Sequence, residues 1–350
     1  MSIRHTNYPL VSIVVPCYNA ELTIESCLDS LLSQGFQRLE IICVNDGSKD
    51  KTADILDSYR LRYPEVIVVN QKNSGAWLAR LSGIQKAEGD YIMFLDSDDV
   101  AVPGFIDKMY EFASSINCDL AVCGFNRIDV GTGKLMSAEF CKPLGSFSLN
   151  KDPGRLLQIN PAPWNKIYKA SLLKHSHRLS VAPVMLDDLS LLLLALLRSD
   201  GLISYLPEAL VEYRVHGDST INSINPGQLK DAIVAMAEIR SCYKDCRSIE
   251  MLDAFDAVAF AHIVVSMSFR LLGSCISNVG NEIDALIAAA DREFPYWRTS
   301  RYLSICYGCK NGGIFLKASL ASAFVKLGLF KPALSAYRLF RKAIGKDISW

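Results

Sequence analysis

Asp96, Asp98 and Asp99 place three carboxylates in four positions at the end of an apolar run, YIMFLDSDD. Like charges this close repel, and each raises its neighbour's pKa. A divalent cation relieves that repulsion, because such ions take hard oxygen ligands from one or two carboxylates and complete their shell with phosphate oxygens and water. Helix capping is the competing reading: Asp99 precedes VAVPGF and would cap a following helix. One carboxylate suffices for a cap, and three stand here. Comparable polar clusters recur upstream, as PCYNAE (Pro16 to Glu21), NDGS (Asn45 to Ser48) and NSG (Asn73 to Gly75).

Those clusters need strands to carry them. LVSIVV, LEIICVND, EVIVVN and YIMFL are continuous apolar or β-branched runs, as in strands buried on both faces. Between them lie helix-patterned stretches, ELTIESCLDSLLSQG, SKDKTADILDSYRLRY and GAWLARLSGIQKAEG. Such alternation predicts right-handed βαβ units: an α/β fold with a mostly parallel sheet flanked by helices. Ligands of such sheets bind beyond the carboxyl ends of the strands. All four polar clusters fall at those ends, so they are expected to line one crevice.

After Asp99 the pattern loosens. PGFIDKMYEFASS reads as a helix, CDLAVCGFNRI as a strand, VGTGKLM as a hairpin turn, and residues 140–163 as loop. VMLDDLSLLLLALLRSDG reads as a helix, and YLPEALVEYRVHGDSTIN as a strand running into a polar turn. From about residue 225 the texture is helical. The expected division is therefore a catalytic domain over 1–225 and a helical C-terminal extension over 226–350.

The 350 residues are half apolar, which predicts a globular chain. The 37 basic and 37 acidic residues balance, but residues 301–350 hold nine basic residues against Asp347 alone. The tail FLKASLASAFVKLGLFKPALSAYRLFRKAIGK has the composition of basic amphipathic helices lying on an anionic membrane. A helical bundle with solvated lysines fits the same composition. Aromatic interleaving and a nucleic-acid-binding motif are missing, so no nucleic-acid partner is expected. The 11 cysteines, an odd number, and an N-terminus without a signal-peptide pattern predict reduced thiols and a cytoplasmic location, with peripheral contact at the inner membrane face. The pair Cys306 and Cys309 is weak evidence for zinc. No membrane span is expected: LSLLLLALL is short, and His262 and Arg270 interrupt or flank the run Ala257 to Phe269.

Seven segments, VSIVVPCYNAE, VNDGSKDKT, NSGAWLAR, FLDSDD, PWNKIYK, LDD and YRVHGDS, occur in the order and approximate spacing of family 2 glycosyltransferases of the GT-A fold. The resemblance covers about residues 10–220. It implies an inverting transferase that uses Mn²⁺ or Mg²⁺, with Asp98 and His216 at the metal and Asp96 near the donor ribose or the metal. Asp46 resembles the carboxylate that accepts a hydrogen bond from the base, a task suited to an acceptor-only group; an Asx turn at NDGS is compatible with that role. Pro16, Tyr18, Asn19 and Glu21 resemble the loop against base and ribose, although Glu21 also fits a first-turn acid on the helix dipole. Arg80 resembles a residue facing the base or diphosphate, and a solvated helix face is the alternative. Arg214 and Ser219 resemble phosphate contacts. Asp188 matches the catalytic base, with Asp187 where the family has glutamate, and the pair would also cap its helix. Trp164, Asn165 and Lys166 resemble the acceptor side, where Trp164 would stack on a sugar or fill the core.

The implied partners are a nucleotide-sugar donor, a UDP-sugar by resemblance, and a glycan or lipid-linked acceptor in cell-surface polysaccharide synthesis. Two alternatives stand beside this reading: a polyprenyl-phosphate sugar synthase, and a catalytically silent relative that binds nucleotide sugars.

Overall fold

The structure is a computed structural model and describes residues 10–174, 179–215, 226–273 and 278–343. The chain forms two compact units. One comprises Met1–Ser148, Pro161–Arg178 and Asp187–Gly217; the other comprises Leu149–Asn160, Leu179–Leu186 and Asp218–Trp350.

The first unit is built on a ten-stranded sheet. Its strands are β1 (Val11–Cys17), β2 (Leu39–Asn45), β3 (Val66–Asn70), β4 (Tyr91–Phe94), β5 (Val100–Ala101), β6 (Leu120–Asp129), β7 (Leu135–Glu139), β8 (Ser146–Phe147), β9 (Lys166–Lys169) and β10 (Ile203–Val215). The main path runs β3-β2-β1-β4-β9-β6-β10-β5, with β7 on β6 and β8 on β10. The first four strands are mutually parallel, and β9 runs antiparallel between β4 and β6. Register aligns their ends: Cys17 pairs with Asn45, Asn45 with Asn70, and Val14 with Phe94. The four polar loops therefore leave one edge of the sheet, as the alternation predicts.

Helices α1 (Ile24–Leu32), α2 (Thr52–Arg62), α3 (Ala76–Lys86), α4 (Phe105–Ser115), α5 (Ala170–Leu173) and α6 (Asp187–Leu196) complete this unit. Helix α3 lies close on β1: a Cβ at Gly83 would stand 2.3 Å from a Val14 methyl. That close approach brings the buried face of α3 under the sheet edge. Helix α6 is buried over Leu189 to Leu196, which explains its unbroken run of leucines.

Two local expectations change. Helix α1 starts at Ile24, so Glu21 lies outside its first turn and instead accepts a hydrogen bond from the Lys51 backbone N–H (3.0 Å). Asp99 caps no helix: Gly104 occupies the N-cap of α4, and short strand β5 intervenes.

The second unit contains α7 (Pro226–Cys246), α8 (Ile249–Ala259), a π-helical turn Phe260–Ser266, α9 (Met267–Gly273), α10 (Val279–Glu293), α11 (Ile305–Asn311), α12 (Gly313–Lys326) and α13 (Phe330–Ala343). A buried ion pair, Arg240 to Asp256 (2.6 Å), ties α7 to α8, and the Tyr296 backbone N–H also donates to Asp256. The run Ile249–Gly273 is one continuous helix, long and apolar enough by length and composition to cross a membrane, a length the sequence pattern underestimates. Its apolar window is 78% buried, the signature of a core helix. Cys306 and Cys309 are free and exposed.

Candidate active site

Asp46 follows β2 and is buried. Its Oδ1 accepts from Gln71 Nε2 (2.7 Å) and the Ser74 N–H (2.8 Å), and its Oδ2 accepts from the Gly75 N–H (2.8 Å). Gly75 is the N-cap of α3, so this carboxylate sits at a helix N-terminus, where partial positive charge favours it. Gly47 makes the approach possible: its φ is +70°, and a Cβ there would stand 2.7 Å from the Asn73 nitrogen. Within NDGS, Asn45 Oδ1 accepts from the Ser48 N–H three residues on (3.1 Å), whereas the Asx turn that opens α2 is made by Asp50, whose Oδ1 accepts from the Thr52 N–H (3.0 Å).

The loop after β1 is stitched to the loop after β2. Asn19 Oδ1 accepts from the Lys49 N–H (2.9 Å), and the Asn19 N–H donates to Ser48 Oγ (3.1 Å). Asn19 has φ +49°, a conformation Asn tolerates. Pro16 is the penultimate residue of β1, and Tyr18 is exposed beside it.

Arg80, one and a half helical turns beyond Gly75, is the electrostatic centre of the site. Nη1 lies 2.7 Å from Asp187 Oδ2 and 2.9 Å from Asp188 Oδ1, while Nη2 lies 3.0 Å from Asp96 Oδ1. Its side chain is 5% exposed, whereas those of Asp96, Asp187 and Asp188 are 28%, 22% and 35% exposed. A buried cation thus lies beneath carboxylates that reach solvent, and the solvated-face alternative for Arg80 fails. Burial acts to lower the pKa of Arg80, but Asp188, Asp96 and Asp187 overcome it and hold the guanidinium above its ordinary value.

Asp187 and Asp188 open the first turn of α6. Leu186, just before them, has φ +62°, a left-handed conformation rare for leucine. Backbone in sparsely populated regions clusters at functional sites, and this residue sets the direction in which the pair leaves the chain. Loss of hydration pushes Asp188 up to about 7; Asp187 and Asp96 add to the rise, while Arg80 and Lys166 oppose it. Burial likewise raises Asp99 well above the carboxylate range, helped by Asp96 and Asp98. Asp99 Oδ1 accepts from the Arg214 N–H (2.9 Å), and Oδ2 is buried with no partner among the described residues. Arg214 Nη1 also donates to Ser26 Oγ (3.1 Å).

The PWNK segment is interior. Trp164 is buried, stacked on Tyr213 (5.3 Å between centroids) and edge-on to Phe125 (4.7 Å). Asn165 Nδ2 donates to the Cys123 carbonyl (2.7 Å). Lys166 is fully buried, and its Nζ donates to the Ala162 carbonyl (2.5 Å) and Asn165 Oδ1 (2.8 Å). Burial pushes Lys166 down to about 7, against the charges of Cys123 and Asp188.

The structure thus gathers Asp96, Arg80, Asp187 and Asp188 into one cluster, and Asp46 caps the helix that carries Arg80. His216 and Ser219 lie outside the described residues. Among the described residues no group of three His, Cys, Asp or Glu side chains forms a metal cage. The donor set still suits a hard cation that takes few protein ligands: Asp96 and Asp98 offer carboxylate oxygens, and their mutual repulsion with Asp99 is felt in the raised Asp99. A groove of about 530 Å³ lined by Gln71, Ser74, Leu78, Ser82, Leu173 and Lys174 runs beside α3 but includes none of the acidic cluster. Gln71 was missed from sequence; its only signal was its place directly after β3.

The sheet is mixed rather than mostly parallel, with five of its nine strand pairings antiparallel, because β5, β7, β8 and β9 run against their neighbours. Its four parallel first strands, with an acidic cluster beyond their carboxyl ends, belong to the GT-A class of fold. Residues 12–176 match the family Glycosyl transferase family 2, and this segment is a family 2 glycosyltransferase domain. The chain is 34% identical over 174 residues to EpsH of Bacillus subtilis (strain 168), named as a glycosyltransferase, a match covering 49% of this chain and 50% of EpsH. It is 33% identical over 170 residues to a poly(ribitol-phosphate) beta-glucosyltransferase of Bacillus spizizenii, covering 47% of this chain and 26% of that protein. The chain thus spans half or less of the length of these curated relatives. The crystal structure of S. aureus TarS 1–349 in complex with UDP-GlcNAc superposes with a TM-score of 0.69 at 20% identity, covering 91% of this chain and 92% of that one.

Proposed function

We propose that the protein is an inverting, metal-dependent glycosyltransferase. It moves a sugar from a nucleotide diphosphate donor, a UDP-sugar, to a hydroxyl of a glycan or lipid-linked glycan in cell-surface polysaccharide synthesis, at the inner face of the cytoplasmic membrane. The observation that carries this reading is the Arg80 bridge, which joins Asp96 at the end of β4 to Asp188 at the start of α6. One guanidinium thereby ties the donor side of the crevice to a carboxylate suited to take a proton near neutral pH.

In the proposed reaction the acceptor hydroxyl approaches Asp188. Its oxygen attacks the anomeric carbon as its proton passes to the Asp188 carboxylate, and the bond from that carbon to the donor phosphate breaks with both electrons leaving on the nucleoside diphosphate. A single displacement inverts the anomeric centre. A divalent cation held by Asp98 and Asp96 would neutralise the leaving diphosphate. Asp46 reads the base, and Arg80 keeps Asp188 oriented and charged. The UDP-GlcNAc complex of TarS supports a nucleotide-sugar donor.

Asp188→Asn tests the assignment. Turnover onto a hydroxyl acceptor is expected to fall about 10²- to 10⁴-fold, while a UDP-sugar with Mn²⁺ still raises the melting temperature as in the parent protein. Undiminished turnover would favour the polyprenyl-phosphate alternative, because a phosphate acceptor carries no proton that needs a base. Failure of the parent protein to hydrolyse or transfer from any nucleotide sugar would favour a silent binder.

A further inference from the structure

We propose that the hairpin formed by α12 and α13 is a docking surface for an anionic lipid membrane. Helix α12 presents Lys317, Leu320, Phe324 and Leu327 at spacings of three and four, so they form one stripe, and all four are exposed. The stripe runs into the turn. Gly328 adopts φ +71°, the Leu329 N–H donates to the Phe324 carbonyl (2.8 Å), and the turn tip carries Leu327, 70% exposed, and Leu329, also exposed. Phe330 and Leu334 turn inward and anchor α13, and Tyr337 packs edge-on against Phe269 (5.2 Å). The leucines at the tip are therefore not spare core; the core positions of the hairpin are already filled.

An exposed apolar stripe marks an interaction surface, and the charge of the hairpin indicates the partner. Lys317 lies in the stripe itself, Lys331 and Arg338 are exposed on α13, and no acidic residue occurs between Arg301 and Lys346. Lys326 lies instead over the Trp297 ring (5.9 Å), where burial and then the nearby charge of Arg298 push it below its ordinary value. One carboxylate reaches the hairpin, Asp284, which pairs with Lys331 (2.7 Å). An exposed apolar stripe on a basic hairpin without acidic residues matches a lipid surface, where acyl chains meet anionic headgroups. A second copy of the same hairpin would bring Lys317 and Arg338 up against like charges. Each helix has 14 residues, too few to span a bilayer, so the hairpin inserts its tip and lies on the surface. The inference rests on the proposed lipid-linked acceptor only for its purpose. Its test uses no donor or acceptor, so its failure would remove the placement at the membrane and leave the glycosyl-transfer chemistry intact.

The test is co-sedimentation of the full chain with vesicles of phosphatidylcholine alone or with about one-third phosphatidylglycerol. The parent protein is expected to pellet with the anionic vesicles and not with the neutral ones. The double variant Leu327→Glu, Leu329→Glu is expected to lose at least about tenfold in partitioning, with an unchanged melting temperature because both side chains are exposed. Lys317→Glu with Arg338→Glu is expected to weaken binding to the anionic vesicles, as does added salt. Failure of the parent protein to bind anionic vesicles overturns the proposal, as does equal binding by the leucine double variant. A self-associated parent that the leucine variant dissociates, with vesicle binding unaltered, overturns it in favour of a second copy as the partner.

Discussion

Arg80 on α3 and Asp188 on α6 are 108 residues apart in the chain, yet they stand 2.9 Å from one another, with Asp187 and Asp96 on the same guanidinium. The cation is buried and the carboxylates are partly exposed, so the pair is held from beneath and remains reachable from above. This arrangement lets one residue fix the orientation of the proposed base without blocking it.

Replacing Arg80 should therefore affect stability and activity together. Arg80→Met leaves three carboxylates facing each other without their cation, and breaking a buried charge pair costs about 3–5 kcal/mol. Arg80→Lys keeps the charge but has a single ammonium where a planar fork spans three acceptors. It is expected to recover part of the stability and little of the turnover. Denaturant unfolding alongside steady-state assays checks both; a Lys variant with full turnover would remove Arg80 from its orienting role.

The raised Asp188 predicts the pH dependence. A base with its pKa near 7 is protonated below that value and cannot accept a proton. The rate should rise about tenfold per unit up to about pH 7 and then level. The stability contribution has the opposite sense. Between its ordinary range and about 7 the folded carboxyl keeps a proton that the unfolded one has lost, so the contribution present at low pH is lost as pH rises through about 7. A pH–rate profile and urea titrations at several pH values measure the two.

Lys166 acts on the same profile from inside the core. Its charge lowers the pKa of Asp188, so Lys166→Met is expected to move the rising limb to higher pH. The variant also leaves the Ala162 carbonyl and Asn165 Oδ1 without their donor, at a cost of about 1–3 kcal/mol. A purely structural lysine would give the stability loss with an unmoved profile.

Asp46 should couple donor binding to the start of α3. Asp46→Ala removes the acceptor of Gln71, Ser74 and Gly75 together, an expected loss of about 1–3 kcal/mol. Stabilisation by UDP should diminish along with it. Asp46→Asn keeps one acceptor oxygen and should fall between the two. Thermal shifts with and without UDP make the comparison, and equal stabilisation of all three proteins would exclude a nucleotide contact at Asp46.

The sequence by itself determined the four parallel strands, because buried parallel strands need long apolar runs and their loops need polar turn residues, and both are written locally; the antiparallel insertion of β9 between β4 and β6 came only from the tertiary structure. It also determined which residue types stand at the strand ends, including DSDD and NDGS. Only the tertiary structure decided what those side chains face. It turned Arg80 inward onto three carboxylates, moved Asp99 from a cap to a buried partner of the Arg214 backbone, and sank Trp164 and Lys166 into the core. Local pattern fixes backbone periodicity; the partner of a charge depends on contacts between residues far apart in the chain, such as α3 with α6, and on how much water their packing excludes.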